Sequence, residues 1–138
     1  MSSLPDAEHI RQQARLPGFH RAGFATIRHR TEAIRTHNEA LQRWLHHGYQ
    51  ADMAWMHNPK RQDITQVMPE ARSLICVALN YYTPHQRPND EHHGKISRYG
   101  WGRDYHRVMQ KKLKALSAWL QQQHSDIQAR FYVDTGPV

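Results

Sequence analysis

Cysteine is almost absent from this 138-residue chain, in which Cys76 is the only one. A single cysteine excludes a disulfide within the chain. An iron-sulfur cluster normally needs about four thiolate ligands, so the chain cannot hold one by itself. Cys76 lies in the apolar run at residues 74–79, where a small apolar side chain is the expected occupant of a buried strand.

Long hydrophobic runs and metal-binding motifs are also missing. The first twenty residues contain no apolar run of the signal-peptide type, and no window reaches the roughly twenty apolar residues of a membrane span. We therefore expect a cytoplasmic protein without a membrane partner. The twelve histidines are scattered, with no HExxH motif and no pair at zinc spacing, so we expect no metal site of the chain's own. Phosphate loops, dinucleotide fingerprints and nucleophile elbows are absent too.

Positive charge, in contrast, is in excess. Nineteen Lys and Arg stand against twelve Asp and Glu, for a formal charge of +7. A polyanionic partner such as nucleic acid is one explanation, and a well-solvated surface is the other. The length fits one domain but not a cofactor domain plus a separate electron-transfer domain.

Hydrophobic spacing predicts helices and strands in alternation. We expect helices over residues 6–16, 36–48 and 105–120, the last of them capped by Asp104. Strands are predicted at 20–27, with Phe24 and Ile27 facing inward, at 74–79, and at 129–133 before a Gly-Pro turn. The run at 74–79 has the composition of a strand buried on both faces, so we expect it to be central in its sheet. This order predicts an α/β (α+β) domain in which helices cover a mixed sheet.

Four blocks of the chain resemble one family. They are GYQADMAWM at 48–56, MPEARSLICVALNYYTP at 68–84, ISRYGWGRDYHRVMQKKLKALSAWL at 96–120 and FYVDTGPV at 131–138. In order and spacing they resemble the amino-terminal part of epoxyqueuosine reductase, the cobalamin and iron-sulfur enzyme that completes queuosine in tRNA. The resemblance runs from about Gly18 onward. It implies a nitroreductase-like cobalamin domain, an oxidoreductase acting on tRNA, and a monomer at full length.

The resemblance also implies that part of the protein is missing. The family is more than twice as long as this chain, and its cysteine-rich part has no counterpart here. In relatives the turn that corresponds to DTGPV continues into further helices and strands of the same domain. We therefore expect residues 1–138 to be an incomplete amino-terminal part of the cobalamin domain, without the iron-sulfur and carboxy-terminal domains and without turnover of its own.

Asp134 is the catalytic residue that the resemblance implies. In the family, the aspartate of this turn is thought to give a proton to the epoxide while reduced cobalt supplies the electrons. Opening an epoxide leaves an alkoxide, and a positioned acid can neutralise that charge as it develops. From the residues alone, an Asp beside Thr and Gly is more often an ordinary turn residue whose side chain bonds its own backbone.

The segment SRYGWGRDYH carries the cofactor contacts that the resemblance implies. Ser97, Arg98 and Tyr99 are candidates to hydrogen-bond the amide side chains of the corrin, and Tyr105 and His106 are candidates to approach the ring or the substrate. The large apolar side chains of residues 53–56 are suited either to a corrin face or to an ordinary core.

One region departs from the family pattern. Relatives commonly have an arginine soon after MAWM, in a segment about two residues longer than the one found here. His57 or Arg61 is a candidate to take over the cobalamin contact of that arginine.

Two functions of other classes remain open from the sequence. One is a small basic tRNA-binding module without catalysis, which would use Arg107, Lys111, Lys112 and Lys114 on phosphates. The other is a cobalamin carrier without reductase activity, for which Asp134 would be dispensable.

Overall fold

The computed structural model describes residues 4–27, 32–134 and 136. Its helices and strands are, in chain order, α1 (Ala7–Arg15), β1 (Arg21–Thr26), α2 (Glu32–His46), β2 (Ser73–Ala78) and α3 (Tyr105–Gln123). Short 3-10 turns lie at Ala54–His57, Pro59–Arg61, Ile64–Gln66 and Arg98–Gly100. This content confirms the α+β class.

β1 and β2 pair in an antiparallel ribbon. At one end the amide of His20 donates to the carbonyl of Ala78, and at the other end the amide of Ile27 donates to the carbonyl of Arg72. The chain divides into two compact units. The first combines the described residues up to Gly23 with Cys76–Asp134, and the second contains the described residues of Phe24–Ile75 together with Gly136.

α1 forms where the sequence predicts a helix. The side chain of Asp6 caps it by accepting a hydrogen bond of 2.7 Å from the amide of His9, which satisfies one of the unpaired donors of the first turn. Ala14 is its buried residue. The chain leaves the helix through Gly18, whose φ of +99° suits glycine rather than residues with a Cβ.

α3 is the longest helix of the described residues, and it too begins at its predicted cap. Asp104 accepts a hydrogen bond of 3.0 Å from the amide of His106. Leu113, Leu116 and Leu120 are buried along one face, as their spacing predicts. Lys112 lies beside that face with its ammonium group donating to the carbonyl of Pro17, so it ties α3 to the turn after α1.

The second unit has a smaller core. Leu45 of α2, Ile27 after β1 and Val67 are its buried hydrophobic residues among those described. α2 is followed by Gly48 at φ +69°, the left-handed conformation that commonly follows a helix end. The predicted helix over 36–48 and the predicted strand over 20–27, in which Phe24 is half-buried, are thus confirmed in type.

Two strand predictions are wrong. β2 is not central and not buried on both faces, because in the described residues the sheet has only two strands, and Cys76 in β2 is exposed. The sheet is antiparallel rather than mixed. Residues 129–133, predicted as a strand before the Gly-Pro turn, have no regular structure, although Val133 is buried. Of that predicted turn, Thr135, Pro137 and Val138 lie outside the described residues.

No helix in the described residues has both the length and the apolar character needed to cross a membrane.

Candidate functional site

Asp134 is the centre of a cluster of polar side chains in the first unit. The hydroxyl of Tyr105 donates to one of its carboxylate oxygens, Oδ2, and Nε2 of His106 lies 3.0 Å from the other, Oδ1. Tyr105 and His106 are consecutive residues at the start of α3, and their rings stack with centroids 4.1 Å apart. The first turn of α3 therefore contacts both carboxylate oxygens of Asp134.

The backbone of Asp134 is itself unusual, with φ at +35°. Few residues other than glycine adopt the left-handed region, and aspartate is among those that do so at least cost. Such conformations persist only where the surroundings hold them, and they cluster at functional sites. Here the buried Val133 on one side and the hydrogen bonds to the carboxylate on the other hold the turn in place.

A second carboxylate lies behind His106. Oδ1 of Asp104 is 2.9 Å from Nδ1 of His106, so each ring nitrogen of the histidine faces a carboxylate. The hydrogen bond to Asp104 is the main cause of a raised pKa at His106, and the same contact lowers the pKa of Asp104. When the ring is protonated, both N–H groups donate to carboxylates.

Tyr105 completes the cluster as a donor. Its hydrogen bond to Asp134 is the largest of the effects that raise the pKa of Tyr105 to about 12. The hydroxyl therefore keeps its proton throughout the physiological range and donates a hydrogen bond to the carboxylate. Asp134 itself has a side chain about half exposed, at 52%, so its carboxylate remains open to a ligand.

A row of aromatic rings runs from this cluster to a groove. Tyr105 packs edge to face on Tyr99 with centroids 5.9 Å apart, and Tyr99 packs edge to face on Tyr81 at 6.4 Å. Tyr81 lines an open groove of about 640 Å³ together with Ile96 and Trp101, among others. Large apolar side chains of the groove and the row are more than half exposed, Ile96 at 68% and Tyr99 at 56%. Exposed apolar patches of this kind mark ligand or partner sites.

Arg98 lines the groove, and three contacts hold its side chain. Its guanidinium group donates to the carbonyl of Thr83 and lies over the rings of Tyr82 and Trp101, 5.1 and 5.3 Å from their centroids. Stacking on two rings and a hydrogen bond to the backbone together restrict the side chain to one position.

The structure brings together most of the residues predicted for the site. Asp134, Tyr105 and His106 form one cluster, Tyr99 lies one ring away, and Ser97 immediately precedes the 3-10 turn Arg98–Gly100.

The remaining two predicted residues belong to the second unit. His57 contacts the side-chain amide of Gln50 at 3.1 Å, and the guanidinium of Arg61 lies over the ring of Trp55 at 4.5 Å.

Sequence reasoning missed part of the site. Asp104 was predicted only as a helix cap, yet it also binds the ring of His106. Its signal was available in the sequence, since an aspartate at a helix N-cap followed two residues later by a histidine can reach that ring. Tyr81, Tyr82 and Trp101 were not predicted as site residues, although two adjacent tyrosines a few residues after an apolar strand were a visible signal. In the described residues no group of three His, Cys, Asp or Glu side chains is arranged to hold a metal.

Comparison with known proteins gives a consistent result. Residues 61–135 match the family model described as "Epoxyqueuosine reductase QueG, DUF1730". The epoxyqueuosine reductase of Synechocystis sp. is 67% identical over 100 residues, which are 72% of this chain and 35% of that protein. That of Atelocyanobacterium thalassa is 50% identical over 137 residues, 98% of this chain and 43% of that protein. The epoxyqueuosine reductase of Vibrio cholerae is 31% identical over 138 residues, which are 96% of this chain and 36% of that protein.

The chain thus spans about two fifths of the length of these curated relatives. No solved structure matches it. The matched region, residues 61–135, includes the groove, the aromatic row and the whole Asp134 cluster, and it covers more than half of the chain. The chain belongs to the epoxyqueuosine reductase family.

Proposed function

We propose that this chain provides the part of an epoxyqueuosine reductase that binds cobalamin and protonates the opening epoxide of epoxyqueuosine in tRNA. One observation carries the proposal: the half-exposed carboxylate of Asp134, engaged by Tyr105 and His106, lies at the end of an exposed aromatic row that leads to an open groove. A reactive group beside a broad apolar surface is what a flat cofactor and a nucleoside substrate require.

The residues present fit a corrin in chemical character. A corrin is flat, with apolar faces and an amide-bearing rim. The row offers exposed aromatic rings for a face, and Ser97, Arg98 and Tyr99 lie on the adjoining turn, where their polar groups can meet amides. Arg98 is held in place by Thr83 and two rings, so it presents its remaining donors without further ordering. When bound, cobalamin would supply electrons to the epoxide through its cobalt.

The chain's own contribution is proton transfer. Cleavage of the epoxide C–O bond leaves an alkoxide, and we propose Asp134 as the residue that passes a proton to it. The carboxylate that remains faces the hydroxyl of Tyr105 and Nε2 of His106, both of which compensate its new negative charge. Asp104 raises the pKa of His106, and Nε2 of the same ring lies 3.0 Å from the carboxylate of Asp134.

The finer architecture is part of the same proposal. We assign residues 1–138 to the amino-terminal part of a nitroreductase-like cobalamin domain in a cytoplasmic, monomeric enzyme. Electrons would reach the cofactor from iron-sulfur clusters whose cysteine ligands lie outside these 138 residues, because the chain has a single cysteine. His57 and Arg61 remain proposed cobalamin contacts.

The test uses the gene that encodes this chain, in its natural reading frame, in a strain lacking its own epoxyqueuosine reductase. Mass spectrometry of tRNA nucleosides measures queuosine against epoxyqueuosine. We expect Asp134→Asn to leave epoxyqueuosine unreduced, whereas the matched control Asp126→Asn, at an exposed loop position, retains the product. Undiminished queuosine with Asp134→Asn would overturn the assignment of the proton donor.

A second measurement tests the cofactor directly. Absorbance titration of the purified chain with hydroxocobalamin should show a shift that weakens when Tyr99 is changed to Ala. Tyr49→Ala is the control, because Tyr49 is a comparably exposed tyrosine, at 62%, that is not among the proposed cobalamin contacts. Failure of the chain to shift the spectrum would refute cobalamin binding. Cofactor binding together with full indifference of queuosine formation to Asp134→Asn would indicate a carrier instead.

A further inference from the structure

α3 presents one exposed face that carries cations and no carboxylate. Arg107, Lys111 and Lys114 are spaced by four and three residues, so their side chains leave the helix in nearly the same direction, opposite to the buried leucines. All three are exposed. At about 1.5 Å of rise per residue, the stripe is roughly 10 Å long.

The other exposed positions of α3 add amides and small side chains to this face. They are Gln110, Ala115, Ala118, Gln121 and Gln122. No Asp or Glu occurs anywhere in the nineteen residues of the helix. Amide side chains can donate to phosphate and sugar oxygens without repelling them.

In α1 and α2, arginines are paired with glutamates of the same helix. In α2 the guanidinium of Arg35 is paired with Glu32 at 2.6 Å and with Glu39 at 3.1 Å, and in α1 Arg11 is paired with Glu8 at 3.3 Å. A face that only needs to be solvated usually mixes both signs in this way. On α3, Arg107 lies 3.8 Å from Asp104 at the start of the helix, whereas Lys111 and Lys114 form no ion pair within the part of the chain that the structure describes. Their charge is left for an external partner.

We propose that the face formed by Arg107, Lys111 and Lys114 binds the phosphate backbone of RNA. This inference rests on the proposed function, in which the substrate is a tRNA, and it assigns a surface to that partner. The stripe starts one residue after His106, so RNA lying along α3 would lead a nucleotide to the Asp134 cluster at the amino-terminal end of the same helix. Lys112 is not part of the face, because its ammonium group is bound to the carbonyl of Pro17.

A membrane surface is the less suitable polyanion. Helices that lie on lipid place large apolar side chains beside their cations, where those side chains can enter the acyl boundary. The apolar residues of α3, by contrast, are buried inside the first unit, and the basic face itself carries only alanines among its apolar residues.

The experiment compares Lys111→Ala/Lys114→Ala with the control Lys60→Ala/Lys95→Ala, which removes the same charge from two exposed lysines elsewhere. Binding of a fluorescently labelled tRNA transcript to the full chain is measured by anisotropy between 50 and 200 mM salt. Loss of two phosphate contacts should reduce the slope of log K against log salt by about 1.5, so the affinity deficit at 50 mM exceeds that at 200 mM by about eightfold. The control should retain the wild-type slope.

Two further measurements keep the outcomes distinct. Lys112→Met should lower the melting temperature but leave the salt slope unchanged, which separates a role in folding from a role in RNA binding. Hydroxocobalamin titration of Lys111→Ala/Lys114→Ala should match the wild type, so a failure of cobalamin binding would concern the proposed function and not this surface. Equal slopes for the test and control variants, or preferential binding of the wild type to phosphatidylglycerol vesicles over tRNA, would overturn the inference.

Discussion

The hydrogen bond between Tyr105 and Asp134 makes a measurable prediction about tyrosine ionisation. This bond is the largest cause of a pKa of about 12 at Tyr105, against 10.0 for an ordinary tyrosine. At pH 11 an ordinary tyrosine is about nine tenths ionised, whereas Tyr105 should be only about one tenth ionised. Ultraviolet absorbance near 295 nm, recorded for the wild type and for Tyr105→Phe, isolates the titration of this one residue by difference.

Two substitutions test the cause of the shift. Asp134→Asn removes the charged acceptor, so the difference titration should move back toward pH 10. Asp104→Asn is the matched control, because Asp104 makes the smallest of the contributions that raise the pKa of Tyr105. The two variants change the same chemical group on residues that flank one histidine, yet only the first should affect the tyrosine appreciably.

The sign of the pH dependence follows from the direction of the shift. The folded state holds the proton of Tyr105 more tightly than the unfolded state, so this contact adds stability that is fully present below about pH 10 and is lost as the pH rises through about 12. Circular dichroism at each pH verifies that the chain is still folded. A Tyr105 titration centred near pH 10 in the wild type, or one unmoved by Asp134→Asn, would refute the geometry of the cluster.

Three further predictions concern other parts of the first unit. Asp104→Asn should lower the raised pKa of His106, and NMR of the imidazole ring measures this pKa. The stability that the pair adds is present below about pH 6.5 and is lost as the pH rises through the pKa of His106 in the folded state. A pKa of His106 that does not change in the variant would contradict the contact. Gly18→Ala should destabilise the chain by about 2 kcal/mol in urea unfolding because φ is +99°, whereas Gly23→Ala, with open space around it, should not; equal effects would contradict this. Leu116→Ala should cost about 3 kcal/mol, and a loss below 1 kcal/mol would show that this residue is not part of the core.

The helices were predictable because their signals are local. Asp104 stands directly before apolar spacings of four and three residues and makes the cap bond predicted for it, and Asp6 makes the same kind of bond at the start of α1. Gly48 marks the end of α2 in the same way. A cap and its amide are within three residues of each other, so tertiary context has little opportunity to override them.

The strand predictions failed because burial is not a local property. Six consecutive apolar residues at 74–79 indicate a strand, and β2 is one, but the number of neighbouring strands depends on the rest of the chain. With β1 as its partner in the described residues, β2 belongs to a two-stranded ribbon, and Cys76 is left exposed. Composition therefore gave the type of element correctly and its position in the sheet incorrectly.

The candidate site was predictable from the sequence only in part. The identities of Asp134, Tyr105 and His106 came from a family resemblance, whereas their contact depends on a separation of twenty-nine residues between Tyr105 and Asp134 that no local rule predicts. Asp104, in contrast, acts over two residues, and its second role was available from the sequence.

This difference has a consequence for function. The contact between Asp104 and His106 is set by the first turn of α3 and needs no other part of the chain. The contacts of Asp134 exist only when the turn at residue 134 is held against that helix, at a backbone conformation that most residues avoid. The position of the His106 ring is therefore fixed by local contacts within the first turn of α3. The position of the Asp134 carboxylate depends instead on tertiary packing around the buried Val133. A substitution that loosens this packing should release Tyr105 from Asp134 before it affects the pair formed by Asp104 and His106.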